Sequence, residues 1–326
     1  MLITLRNTGT SFNCEYGETI LSAALRQGVQ LARACESGGC GMCRGQVLSG
    51  SVSHSDVARA LTASDVALDR ALFCCAFAES DLLIDASLQE RPNQAPVEFP
   101  ARVTAIEQLT ADVRRLTLRF PPGMSPDFTP GQFLHVAWTD GQRRAFSIAN
   151  KPREDETVEL HVGLKPGGSF TRHVFETMKT GDVLRLSGPH GTFRYRPSEK
   201  PTVFVAGGTG IAPIFAMLDV ISSEPPAKPV SLYWGCRSSD GFYLANELRE
   251  LSERFPRLDV HLVVSDPEPH WFGRSGFVHE ACFADIQCFN GCELYACGNP
   301  FLIDALEKGA LDRGLAPDRF FADKFN

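Results

Sequence analysis

The sequence predicts a multidomain chain of mixed α+β and α/β class: a small α+β unit around a cysteine-rich loop, then an antiparallel β-barrel, then a parallel α/β sheet. Three observations predict it. Six of the 11 cysteines crowd between residues 14 and 75. Short alternating apolar runs recur between turn signals from Ala101 to about Arg196. From Pro201 onward, apolar strands alternate with helical stretches. A length of 326 residues accommodates two or three such cores at roughly 100 to 200 residues each.

The first part, residues 1–90, opens with alternating stretches Leu2 to Arg6 and Ser11 to Glu15 around a polar Asn-Thr-Gly-Thr turn, which reads as a hairpin. Glu18 to Gln27 then places Ile20, Leu21, Ala24 and Leu25 on one helical face. After the cysteine loop this part closes at Leu82-Leu-Ile-Asp-Ala. Residues 91–100, Arg-Pro-Asn-Gln-Ala-Pro-Val-Glu-Phe-Pro, read as a linker, because three prolines leave little that packs. The second part, 101–198, carries strands at Val113 to Phe120, Phe133 to Trp138, Thr157 to Val162 and Val183 to Ser187. In the third, 199–326, strands at Val203 to Ala206, Val230 to Trp234, Asp259 to Val264 and Glu293 to Cys297 alternate with helices at Pro213 to Ile221, Leu244 to Arg254 and Phe301 to Arg313. That alternation implies a parallel sheet.

Composition removes several function classes. Apolar residues at 43% and charged residues at 22% are globular proportions, and the 28 Gly and 21 Pro show no collagen-like period. A formal charge of −7 without a Lys or Arg run gives no footprint for nucleic acid. The start has no basic segment followed by an apolar stretch, so export is not expected and the cytoplasm is. The one apolar stretch of membrane length, Thr202 to Ile221, is broken by Gly207-Gly208-Thr209-Gly210 and by Pro213, so no membrane partner is expected.

Cys35-Glu-Ser-Gly-Gly-Cys40-Gly-Met-Cys43 spaces three thiols C-x4-C-x2-C. A further cysteine at 74 or 75 completes the plant-type spacing of a [2Fe-2S] cluster held by four thiolates. Such a loop must turn its N–H groups toward sulfur, and Gly38, Gly39 and Gly41 allow this. Because Cys74 and Cys75 are adjacent, an extended segment would project them to opposite sides and only one would ligate. The stretch resembles the plant-type ferredoxin module of bacterial oxygenase reductases, whose last cysteine follows Leu-x and precedes Ser-Asp-Leu. Leu72-Phe-Cys74 with Ser80-Asp-Leu82 matches that register. The resemblance implies a β-grasp ferredoxin domain with ligands Cys35, Cys40, Cys43 and Cys74, and Cys75 as the alternative fourth.

Arg143-Arg144-Ala-Phe146-Ser147 combines a guanidinium suited to pyrophosphate, an aromatic face and a hydroxyl suited to a flavin ring nitrogen. Leu160-His161-Val-Gly-Leu-Lys-Pro-Gly167-Gly168-Ser-Phe-Thr171 adds paired glycines and a hydroxyl for a phosphate. Next come Ser187-Gly-Pro-His-Gly-Thr-Phe193 and then Val203 to Pro213, where Gly207, Gly208, Thr209 and Gly210 lead from strand to helix. The order of these motifs resembles the ferredoxin-NADP reductase superfamily over residues 100–326. The resemblance implies an antiparallel β-barrel flavin domain holding FAD and a parallel α/β nucleotide-binding domain. His161 is expected to offer its main chain to the flavin. Trp234-Gly-Cys-Arg237 and Phe272-Gly-Arg274-Ser-Gly-Phe277 match positions around the adenosine half. Ala296-Cys297-Gly298-Asn299-Pro300 is similar to the family's Cys-Gly-Pro-Pro turn beside the nicotinamide, where Cys297 would be a polarizable contact. The terminal Phe325 would cover the flavin until nicotinamide displaces it, with a core aromatic as the plainer reading. Phe146 stands where Tyr is commoner, and Asn299 where Pro is usual.

Coenzyme choice turns on the ribose 2′-position. Ser265 is followed by Asp266, whose carboxylate would repel a phosphate, so NADH is expected; NADPH is the alternative, since Arg237 or Arg274 could compensate. The 8 His are dispersed without metal spacing. Cys14, Cys236, Cys282, Cys288 and Cys292 read as buried small hydrophobes. The whole order resembles reductase components of bacterial aromatic-ring-hydroxylating oxygenases and CDP-deoxyglucoseen reductases. It implies hydride transfer from NADH to FAD, then single electrons through the cluster to a partner. The expected acceptor is a terminal oxygenase, with a deoxysugar enzyme as the alternative, and a redox sensor without turnover as the rival of another class. Before position 91 there are 10 acidic and 6 basic residues, which suits a docking partner with basic surroundings.

Overall fold

Leu2–Leu5 (β1) and Ser11–Asn13 (β2) form the hairpin, with Ile3 and Leu5 fully buried on one face. Thr19 caps the helix Ile20–Arg26 (α1) by accepting from the Ser22 N–H at 3.2 Å, and Ile20, Leu21, Ala23 and Ala24 bury its inner face. Arg44–Ser49 (β3), Val52–His54 (β4), the short helix Ala63–Ala67 (α2), Arg70–Leu72 (β5), Ala76–Ala78 (β6) and Leu82–Asp85 (β7) follow. The main sheet has the order β2-β1-β7-β3-β5, with β1 and β7 parallel and its other pairings antiparallel. This mixed sheet with one helix packed across it is the β-grasp arrangement, and β4 pairs separately with β6.

The structure, a computed structural model, describes the chain apart from residues 34, 35, 37, 39, 40, 42, 59, 62, 87, 89–96, 140–142 and 326 and the side chains of 63, 64 and 97. It divides into two compact units, one of Met1–Ala95 with His190–Thr192, the other of Pro96–Pro189 and Phe193–Phe325.

The second unit contains the barrel strands Val97–Thr110 (β8), Val113–Arg119 (β9), Phe133–Ala137 (β10), Arg143–Ser147 (β11), Thr157–Gly163 (β12) and, after the helix Ser169–Glu176 (α3), Val183–His190 (β13). β8 begins inside the stretch expected to be linker. Pro100 lies opposite Arg185 in the ladder, so the linker composition misleads for its last four residues. The sheet order is β11-β10-β13-β8-β9-β12, and an antiparallel bridge between Ile148 and Leu160 brings its two edges together as a barrel. Leu116, Leu118, Val158, Leu160 and Val162 fill the interior, and Phe170 and Val174 of α3 plug one end.

Beyond it run Thr202–Gly207 (β14), Ile211–Ile221 (α4), Val230–Cys236 (β15), Ala245–Arg254 (α5), Leu258–Val264 (β16), Arg274–Ser275 (β17), Val278–Asp285 (α6), Glu293–Gly298 (β18), Pro300–Leu311 (α7) and Phe320–Lys324 (β19). All pairings in the order β17-β16-β15-β14-β18-β19 are parallel. Helices cover both faces, which is why β14 and β18 read as unbroken apolar runs. No helix among the described residues is long and apolar enough to cross a membrane.

Candidate functional site

The parallel sheet reverses its direction of growth at β14, which pairs with β15 on one side and β18 on the other. Open α/β sheets bind ligands beyond the strand C-termini at such a switch point. There Gly208–Gly210 make a tight 3-10 turn, and α4 starts at Ile211, two residues before Pro213, which sits in the first turn where its missing N–H costs nothing. A Cβ on Gly210 would lie 2.2 Å from the Cys297 carbonyl oxygen, and one on Gly298 would lie 3.3 Å from the Gly207 nitrogen. The loop and the end of β18 thus touch backbone to backbone. Gly208 has φ of +54°, with nothing within 4 Å of a Cβ placed there. Such a glycine-rich cradle at a helix N-terminus, with Thr209 as its one side chain, fits a pyrophosphate.

Beside the cradle, Cys297 is fully buried, and its ladder partner on β19 is Asp323. Ser147, at the end of β11, donates from Oγ to Asp323 Oδ2 at 3.5 Å. Burial raises the Asp323 carboxyl to about 7, with the Ser147 hydrogen bond opposing the shift. The Cys297 thiol is held well above its ordinary range by burial and by the Asp323 charge, so it is no nucleophile. Phe325 donates its N–H to the Gly298 carbonyl at 2.8 Å, and its half-buried ring packs on the core of the nucleotide domain. Asn299 accepts from the Leu302 N–H at 2.9 Å as the cap of α7, with Pro300 at the first helical position.

On the barrel, Arg144 lies opposite Val136, and the Phe146 ring packs 5.3 Å from that of Phe170. Gly167 takes φ of +74° and Gly168 precedes α3. The Thr171 hydroxyl accepts from the Lys165 N–H at 3.1 Å, bracing that loop from within. His161 points outward from β12 and is 6% exposed. Its Nδ1 lies 3.2 Å from Tyr243 Oη, and its Nε2 is buried without a partner among the described residues. Burial, aided by the Arg115 charge, lowers its pKa to about 3, so the imidazole is neutral. An orphaned buried nitrogen next to the glycine cradle fits a bound prosthetic group.

At the far side of the switch point, Ser265 and Asp266 donate their N–H groups to the carbonyls of Cys236 and Arg237, each at 2.9 Å, which sets the two strand ends side by side. Arg274 is bound elsewhere: Nη1 donates to Asp285 Oδ2 at 2.5 Å, and the same carboxylate oxygen accepts from Tyr233 Oη at 2.9 Å.

In the first unit, Cys74 and Cys75 do not leave an extended segment on opposite sides. Cys75 N–H closes a turn on the Leu72 carbonyl at 2.8 Å, and the two sulfurs lie 3.4 Å apart. Cys74 donates its N–H to Cys43 Sγ at 3.5 Å. A hydrogen bond to Cys43 and burial raise the Cys74 thiol strongly. Two buried thiols so close resist joint ionisation unless a cation lies against them, so this donor set fits an iron–sulfur group. Cys35 and Cys40 lie outside the described residues. Cys14, Cys236 and Cys282 are buried as expected, but Cys288 is exposed and Cys292 intermediate, because both lie in the turn-rich segment before β18 and not in an element.

The sequence motifs give no role of their own to Asp323 or Tyr243, and they name Trp234 only within Trp234-Gly-Cys-Arg237. Asp323 carried a signal, since a carboxylate alternating with Phe321 and Phe325 on a final strand faces the same way as both. Tyr243 carried none above its apolar character.

Residues 3–79 match the family described as 2Fe-2S iron-sulfur cluster binding domain, 100–195 the oxidoreductase FAD-binding domain, and 204–308 the oxidoreductase NAD-binding domain. The chain is 34% identical over 324 residues to the CDP-6-deoxy-L-threo-D-glycero-4-hexulose-3-dehydrase reductase of Yersinia pestis, covering 99% of this chain and 98% of that one. It is 31% identical over 326 residues to terephthalate 1,2-dioxygenase reductase component 1 of Comamonas sp., covering 99% and 96%. The crystal structure of an Amycolatopsis cytochrome P450 reductase matches with TM-score 0.77 and 31% identity, over 100% of this chain and 98% of that one. The chain belongs to the iron–sulfur flavoprotein reductases that join a ferredoxin domain to an FAD- and NAD-binding module. It is an NAD(P)H-dependent oxidoreductase of the reductase-component type.

Proposed function

We propose that this reductase takes a hydride from NADH and delivers single electrons to a terminal aromatic-ring-hydroxylating oxygenase. The observation that carries the reading is the meeting of Ser147, Cys297 and Asp323, from three strands of two folds, beside the Gly207–Gly210 cradle. Bound FAD supplies the conversion from two-electron to one-electron chemistry. Ser147, Arg144 and Phe146 hold it, with His161 and the Gly167–Gly168 loop braced by Thr171. The cradle from Gly207 to Gly210, Pro213, Cys297 and Gly298 place the nicotinamide half, while Arg237, Ser265 and Asp266 surround the ribose. Phe325 covers the ring when nicotinamide is away, and Cys35, Cys40, Cys43 and Cys74 hold the cluster. The relay domain spans 1–90, the flavin domain runs from β8 to 198, and the nucleotide domain spans 199–326.

The terephthalate dioxygenase relative supports the oxygenase acceptor. A second reading, delivery to a nucleotide-sugar dehydrase, is favoured by the 34% identity over nearly the full length to the hexulose-dehydrase reductase. The test measures NADH oxidation by the holoprotein with each acceptor class added. Stimulation by an oxygenase component and not by a sugar dehydrase is expected, and the reverse selects the second reading.

A further inference from the structure

Four contacts close a ring between the barrel and the nucleotide loop. His161 Nδ1 lies 3.2 Å from Tyr243 Oη, the two rings meeting edge-on at 80°. The Tyr243 ring stands at 87° to the fully buried Trp234, 5.5 Å between centroids. Trp234 Nε1 donates to the Gly208 carbonyl at 3.0 Å. The next residue of the loop, Thr209, returns to β12: its Cγ2 lies 3.5 Å from where a Cβ of Gly163 would stand. Gly163 and His161 are two residues apart on one strand, hence on the same face. Outside the ring, Arg115 on β9 reaches both Glu159 of β12 at 3.8 Å and Glu247 of α5 at 3.6 Å.

From this circuit we infer that His161 and Tyr243 are positioning residues for hydride transfer, setting the height of the Gly207–Gly210 loop above the barrel. Three of the loop's four residues are glycines, so apart from the Thr209 methyl it has no side chain to fix it, and nothing lies within 4 Å of where a Cβ of Gly208 would stand. Its carbonyl is anchored through Trp234, and Trp234 is fixed against Tyr243. Tyr243 in turn registers on a strand of the flavin domain. A shift at any link therefore moves whatever the loop holds relative to whatever the barrel holds. Hydride transfer is steep in that separation, since misplacement by about 1 Å can cost two orders of magnitude. The neutral imidazole suits the task, because it neither repels Arg115 nor changes charge over the working range.

This inference rests on the NADH-to-flavin reading, and the experiment separates the two. Holoprotein is mixed with NADH anaerobically, and the limiting rate of flavin bleaching and the NADH dissociation constant are read apart. Absence of bleaching in the wild type sinks the functional reading itself. With the wild type active, Tyr243→Phe, which keeps the ring and deletes the hydroxyl, is expected to lower the limiting rate by at least about tenfold. Flavin content and melting temperature should be unchanged, and the long-wavelength charge-transfer absorbance of the NADH complex should weaken. His161→Gln should lower the limiting rate as well, read on the FAD-bound fraction because His161 also belongs to the proposed flavin site, and the double variant should be no slower than the slower single, because both break one circuit. A limiting rate within twofold of wild type, losses that multiply in the double variant, or loss of FAD from folded Tyr243→Phe each overturns the positioning role.

Discussion

Ser147 Oγ and Asp323 Oδ2 lie 3.5 Å apart although 176 residues separate them in the chain. Because burial lifts the Asp323 carboxyl from 3.8 to about 7, the folded protein holds this proton more tightly than the unfolded chain. The stabilisation is full below about pH 4 and is lost as pH rises through about 7, on the order of 2 to 4 kcal/mol. The difference in thermal stability between wild type and Asp323→Asn should therefore grow in favour of the variant across that window. A difference independent of pH contradicts the buried proton.

The same pair predicts a kinetic shift. The Ser147 hydrogen bond lowers the Asp323 pKa, so Ser147→Ala should move the carboxylate limb in the pH profile of flavin reduction upward, by up to about one unit. A limb that stays in place, or moves down, separates the two groups in function.

Two glycines of one loop give opposite expectations. Gly210 has ordinary helical φ, but its Cβ would collide with the Cys297 carbonyl. Gly210→Ala should cost about 3 kcal/mol or more and weaken NADH binding. Gly208 has φ of +54° and open space, so Gly208→Ala should cost only the left-handed backbone penalty, roughly 1 to 2 kcal/mol. Denaturant unfolding of both variants reads the difference, and equal losses would mean that the loop is not pressed on β18.

How far the sequence carries the site follows from which signals are local. The cysteine spacing, the glycine turn between an apolar strand and a helix, and the strand alternation of the barrel each lie within one segment, and the glycine turn and the expected barrel strands appear within a few residues of their expected places. What the sequence hid is set by register and by packing between distant strands. The Cys74–Cys75 turn depends on Cys75 bonding back to Leu72. Asp323 becomes part of the site only because β19 pairs with β18 in the register that sets it opposite Cys297. The start of β8 inside a proline-rich stretch depends on its pairing with β13.

The cluster ligands give a further expectation. Cys74 turns its N–H toward Cys43 sulfur, and its thiol meets that of Cys43, while the Cys75 sulfur lies against Gly38, 2.7 Å from where its Cβ would stand. Cys74→Ser should abolish the visible absorbance of the cluster and Cys75→Ser should spare it. The opposite pattern makes Cys75 the fourth ligand.

If the proposed ribose site holds, coenzyme preference would follow from how Arg274 is engaged. Asp266 sits at the strand end with its N–H on the Arg237 carbonyl, and in the proposed ribose site its carboxylate would oppose a 2′-phosphate. Arg274, which could offset that charge, is held by Asp285, itself held by Tyr233. NADH should therefore exceed NADPH in kcat/KM. Asp285→Asn keeps the shape and removes the charge that binds Arg274, so it should narrow the ratio by improving NADPH, by about 1 kcal/mol or a few-fold. Asp266→Ser should narrow it by the same route, and the two changes together should narrow it further, since one frees a cation and the other deletes an anion. A ratio that favours NADPH in the wild type, or that both variants leave unmoved, removes these residues from coenzyme choice.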